Sequence, residues 1–140
     1  MTSKIIYKGD LRTESIHLAS NTIIETDAPL DNNGKGEKFS PTDLVATALG
    51  NCMLTIMGIA SNTHHINIVG TEVGITKIMA SNPRRIGKIE VEMDIKGQSA
   101  YSDKEKAILK NAALTCPVFL SLHPDLEKVV QFSFNGVQEH

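Results

Sequence analysis

The chain predicts an α+β fold with a largely antiparallel sheet, and three observations carry that prediction. Helical patterns alternate with groups of strands rather than with single strands, in the order β-β-β-α-β-β-α-(short α)-β. The segment KIEVEMDIK (88–96) places apolar and charged residues in strict alternation, the pattern of a strand with one buried and one wet face. The stretch from Leu44 to Ala60 is apolar almost throughout, leaving only the narrow polar line of Asp43, Thr47, Asn51 and Thr55. A helix of that composition belongs at a centre, covered on most sides by sheet or by a partner chain. At 140 residues the chain is expected to form a single domain, 1–140.

The elements follow in order. Ile5 and Tyr7 lead into a Gly9-Asp10 turn, Glu14–Ala19 alternates as a half-buried strand, Ser20-Asn21 turns the chain, and Thr22–Thr26 reads as a third strand. The segment TDAPLDNNGKGEKF (26–39) is dense in turn residues and reads as a loop, with NNGKGEK (32–38) expected to be mobile over or near the site. Ser40-Pro41-Thr42-Asp43 is a helix start: Ser40 can accept from the orphan amides, Pro41 suits the first position, and Asp43 lies three residues after the cap. Leu44, Ala48, Cys52, Ile56 and Ala60 then form one stripe, with Val45, Leu49, Met53 and Met57 beside it; Gly50 and Gly58 would allow close backbone approach. A strand over Val69–Ile75, a turn over Ala80–Arg85 and the 88–96 strand follow. Ser102 and Glu105 form a second capping box, opening a helix that would carry Leu109, Ala112, Ala113 and Cys116 on one face. Pro117 ends that helix or begins a short one reaching Leu122, and Lys128–Phe134 is a last strand.

Composition excludes several function classes. Fourteen basic and 16 acidic residues leave a formal charge of −2, which makes no electrostatic case for nucleic acid or a membrane surface. The apolar run to Ala60 is shorter than the ~20 residues a membrane span needs. With no secretory signal pattern and only two cysteines, the expected compartment is a reducing cytoplasm, where a pairing of these thiols would be transient and catalytic. His64, His65 and His123 have no spacing that matches a zinc site, no nucleophile elbow is present, and NNGKGEK lacks the phosphate-loop pattern. No cofactor is expected.

Two readings of Cys52 and Cys116 remain open on the residues alone. Each thiol can be a small core hydrophobe. Alternatively, they form one reactive pair. Cys116 stands immediately before Pro117, where a helix N-terminus is expected to lower its pKa. Cys52 lies about three turns inside its helix, so its activation would need a group brought by the fold.

SPTDLVATALGNCM (40–53), together with AALTCPV (112–118), GDLRTE (9–14) and PRRIGKIEVEM (83–93), resembles the OsmC/Ohr superfamily of osmotically inducible and organic hydroperoxide resistance proteins. The resemblance implies an OsmC-like fold, with mostly antiparallel sheets wrapped around long central helices in an intertwined homodimer. It also implies thiol peroxidase chemistry on organic hydroperoxides. Cys52 would be the peroxidatic cysteine and Cys116 the resolving cysteine that forms a disulfide with it. An external dithiol, typically a lipoylated protein, would be the reductant. Arg12 matches the family arginine that lies near the reactive thiol across the dimer.

The family's glutamate, ten residues before the first cysteine, is here Thr42. Asp43, one residue later, is a candidate for a catalytic or a capping role, and Glu14 and Glu37 are candidate partners for Arg12. An inactive OsmC-like module that holds a small apolar or acyl ligand at the dimer interface is the alternative reading. Thiol–disulfide exchange on other proteins is a third.

Overall fold

A computed structural model of the chain describes residues 1–140, which divide into two compact units, Met1–Val45 and Ala46–His140. In the N-terminal unit, β1 (Ser3–Gly9), β2 (Arg12–His17) and β3 (Ile23–Asp27) form an antiparallel sheet in sequence order. Asp10 and Leu11 turn β1 into β2 with φ of 53° and 62°. Left-handed backbone is uncommon for leucine and fits the twist of a tight hairpin. The β2–β3 register pairs Ile16 with Ile23 and Arg12 with Asp27. β1 is exposed along nearly its whole length, with Ile5 and Tyr7 both 64% accessible in the single chain.

Helix α1 (Pro41–His64) starts in the N-terminal unit and runs on into the C-terminal one. Its start is a reciprocal cap. The Asp43 N–H donates to Ser40 Oγ at 3.0 Å, and the Ser40 N–H donates to an Asp43 carboxylate oxygen at 2.9 Å. The helix continues past the predicted apolar run. At 24 residues, with a mean hydropathy of 1.7 over its most apolar window, it is long and apolar enough by length and composition to cross a bilayer. That corrects the sequence expectation of too short a run. Its Leu49, Met53 and Met57 side chains instead lie in the protein core, each 0% exposed.

The C-terminal unit sets α1, α2 (Asp103–Leu114) and α3 (Pro117–Ser121) with a sheet ordered β4-β5-β6-β7. These strands are β4 (Glu72–Ala80), β5 (Arg85–Ile95), β6 (Glu127–Phe134) and β7 (Val137–Gln138). The predicted alternation in β5 is realised: Ile89, Val91, Met93 and Ile95 are buried in one core with Leu109, Ala113, Phe132 and Phe134. Gly50 lets α1 approach β4, since a Cβ there would stand 3.0 Å from Ile75 Cδ1. Gly58, predicted to serve the same purpose, has nothing within 4 Å of its would-be Cβ.

Three features of the sheet differ from the sequence reading. β4 starts at Glu72, because the preceding residues form a turn closed by the Thr71 N–H donating to Ile68 O. β5 and β6 pair in parallel, since the chain between them crosses over through α2 and α3. β7, too short to show periodicity, was not predicted.

Candidate functional site

Cys116 is not on α2. That helix stops at Leu114, with Thr115 as its C-cap. Pro117 disfavours helical backbone in the residue before it. Cys116 accordingly takes φ −68° and ψ 147° and becomes the N-cap of α3, its Sγ accepting the Phe119 N–H at 3.3 Å. The residue is 0% exposed.

Burial pushes the Cys116 thiol up, the backbone N–H groups of Phe119 and Val118 partly oppose that shift, and the neighbouring Cys52 adds to it. The lowered value expected from the helix N-terminus is thus overturned. The two amides of the α3 start do not compensate for removing a thiolate from water. The partner, Cys52, is half-buried on α1 and packs against the same core. The fold therefore brings the two free thiols into one core, near enough for Cys52 to add to the rise in the Cys116 thiol.

A prediction follows for the Cys52→Ser protein. Iodoacetamide labelling of Cys116 under native conditions should reach half its limiting rate only above the ~8.5 of a free cysteine. The folded state holds this proton more tightly than the unfolded chain does. Its contribution to stability is therefore complete below that pH and lost as pH rises through the folded value. Half-maximal labelling below 8.5 would contradict the assignment.

In the N-terminal unit, Arg12 opens β2 directly opposite Asp27, the last residue of β3. The pair is bidentate: Arg12 Nε donates to Asp27 Oδ1 and Arg12 Nη2 to Asp27 Oδ2, both at 2.7 Å. Nη2 also donates to Glu37 Oε2 at 3.1 Å. Asp27 is 1% exposed, and its carboxylate receives a further hydrogen bond from the Glu37 N–H at 3.2 Å. The guanidinium holds the Asp27 carboxyl below the usual carboxylate range. In turn, Asp27 and then Glu37 raise the Arg12 pKa.

The loop over 26–39 folds around this carboxylate. Leu30–Asn32 forms a 3-10 turn, the Gly34 N–H donates to Pro29 O, the Gly36 N–H to Ala28 O, and the Asp27 N–H to Phe39 O. Gly34 admits no side chain, because a Cβ would come within 1.7 Å of Ala28 O.

Of the carboxylates considered for Arg12, Glu37 makes the contact and Asp43 is engaged in the α1 cap. Asp27 was missed, although a signal existed. Extending the hairpin that pairs Ile16 with Ile23 by four residues on each strand sets Arg12 across from Asp27. Next to this cluster, Glu25, Gly36, Glu37, Lys38, Phe39 and Asp43 line an open groove of about 380 Å³. No group of three or more His, Cys, Asp or Glu side chains is arranged to hold a metal ion.

Comparison with known proteins adds the following. Residues 34–128 match the OsmC-like protein family. A crystal structure ascribed to an osmotic stress induced and detoxification response protein of Psychrobacter arcticus 273-4 is 51% identical, with a TM-score of 0.90, covering 94% of this chain and 95% of that one. An OsmC-like protein of Mycoplasma pneumoniae shares the fold at 18% identity (TM-score 0.77, 94% of each chain). An organic hydroperoxide resistance protein of Legionella pneumophila shares it at 14% identity (TM-score 0.70, covering 95% of this chain and 97% of that one). Comparison with curated proteins found no match.

Proposed function

Because the chain belongs to the OsmC-like protein family, we propose that it is a cofactor-free, cysteine-based peroxidase that reduces organic hydroperoxides in a reducing cytoplasm. The observation that carries this reading is the neighbouring pair of free thiols, one half-buried and one fully buried. In the proposed cycle, the Cys52 thiolate attacks the distal peroxide oxygen. The O–O bond breaks, the alkoxide leaves and is protonated to the alcohol, and Cys52 becomes a sulfenic acid. Cys116 sulfur then displaces the sulfenic hydroxyl, which leaves as water with the Cys116 proton, and a Cys52–Cys116 disulfide forms. An external dithiol, a lipoylated protein in our reading, reduces the pair by exchange and is itself oxidised. Apolar residues around Cys52 favour an alkyl tail over hydrogen peroxide.

The same reading takes residues 1–140 as one domain of an intertwined homodimer. The family match runs across the boundary between the two units. The exposed apolar residues of β1, and the face of α1 that carries Ile59, are surfaces a second copy would cover. In that dimer, Arg12 of one protomer would stand beside the reactive thiol of its partner, stabilising thiolate and orienting peroxide.

The test is intact mass and thiol titration of the reduced protein after one equivalent of an alkyl hydroperoxide, with hydrogen peroxide in parallel. Loss of both thiols into one intrachain disulfide, faster with the alkyl peroxide, is expected. Thiols that stay free would instead favour a binding module with inert cysteines, a role that the raised Cys116 thiol would also suit.

A further inference from the structure

We propose that Asp27 is the positioning residue for Arg12, locking one edge of its guanidinium so that the Nη1 edge is presented to the peroxide. This inference rests on the peroxidase reading above. The geometry is specific. An arginine has five N–H donors in a rigid fork. Here the Nε donor and both Nη2 donors are committed to Asp27 and Glu37, while Nη1 makes no hydrogen bond within the chain. Two bonds of 2.7 Å to a carboxylate that is 1% exposed leave the guanidinium plane little freedom to rotate. The Arg12 side chain, 22% exposed, therefore has a fixed back edge and an open front edge.

The two carboxylates are not equivalent. Asp27 Oδ2, the oxygen that accepts Arg12 Nη2, also accepts the Glu37 N–H, and Asp27 ends β3, so backbone on two segments places the carboxylate. The Glu37 carboxylate is 63% exposed and bonds through one oxygen at 3.1 Å. Exposed single-contact pairs contribute little. Asp27 thus occupies the role left open where the family glutamate is Thr42. It reaches Arg12 from the facing strand rather than from α1.

The experiment measures kcat and KM for an alkyl hydroperoxide with a dithiol reductant in the wild type, Asp27→Asn, Arg12→Lys, the double variant and Glu37→Gln. Circular dichroism melts report folding. Arg12→Lys keeps the charge but cannot form the fork. Asp27→Asn and Arg12→Lys should each lower kcat/KM by about 10- to 100-fold, the size of effect that misplacing a reacting group produces. The double variant should be no worse than Arg12→Lys alone, because Asp27 acts through the fork. Glu37→Gln should lose no more than about fivefold.

Wild-type rates in Asp27→Asn, or single losses that multiply in the double variant, would overturn the proposal and leave the peroxidase reading standing. A wild type without Cys52-dependent peroxide reduction would overturn both. If Asp27→Asn fails to fold, Arg12→Lys decides: a loss of tenfold or more in a folded protein supports the fork requirement, and an unchanged rate removes it.

Discussion

Replacing Cys52 by Ser should abolish peroxide turnover, whereas replacing Cys116 by Ser should permit one oxidation per chain and no more. The two outcomes differ because the two sulfurs occupy different environments. Cys52 is half-buried on α1. Cys116 is 0% exposed and its thiol is pushed up by burial, so it is poorly suited to meet peroxide first and well placed to wait as a protonated neighbour. In Cys116→Ser the sulfenic acid has no partner. It should persist and react with dimedone, giving one adduct per chain by intact mass. In the wild type, disulfide formation should outrun that label. Full turnover in Cys52→Ser would remove the peroxidase assignment, and a dimedone adduct on wild type as abundant as on Cys116→Ser would remove the resolving role.

Met53→Ala should be the most damaging single truncation near the site for stability, at about 2–5 kcal/mol. Met53 is 0% exposed and lies among Leu49, Met57, Ile89 and Met93 in the C-terminal core. Removing its side chain leaves a cavity that a helix–sheet interface cannot close without moving α1. A loss of that size is a large part of the 5–15 kcal/mol typical of a domain. Met53→Leu, nearly conserving volume, should cost less than about 1.5 kcal/mol. Urea denaturation with an unchanged slope is the check. Equal midpoints for Met53→Ala and wild type would show that the position collapses freely or is not core. Adjacent residues of one helix thus separate cleanly, with Met53 carrying stability and Cys52 carrying chemistry.

Much of the fold was legible because its signals are local. β5 could be read from KIEVEMDIK because one face of a strand meets the core and the other meets water, so alternation is written into consecutive residues. The starts of α1 and α2 were legible because a cap needs an oxygen and a carboxylate three residues apart, as Ser40/Asp43 and Ser102/Glu105 provide. The two-cysteine motif was equally legible, since both residues sit in short, distinctive contexts.

The features that escaped depend on residues distant in the chain. Parallel pairing of β5 with β6 follows from the path through α2 and α3, which no periodicity records. The rise in the Cys116 thiol follows from burial by side chains of several elements. A sequence shows the amide of the next helix but not the water that is missing.

The N-terminal arginine shows the division most clearly. The family resemblance of the sequence singled out Arg12 as the cation of interest and showed that Thr42 carries no carboxylate for it. Which carboxylate holds it was decided by the register of two strands and by a loop that closes on Asp27 through Gly34 and Gly36. Composition and spacing determine which chemical groups a chain has and which local elements they join. Tertiary structure decides which groups meet and how much water remains between them. Charge pairing and thiol acidity vary steeply with distance and desolvation.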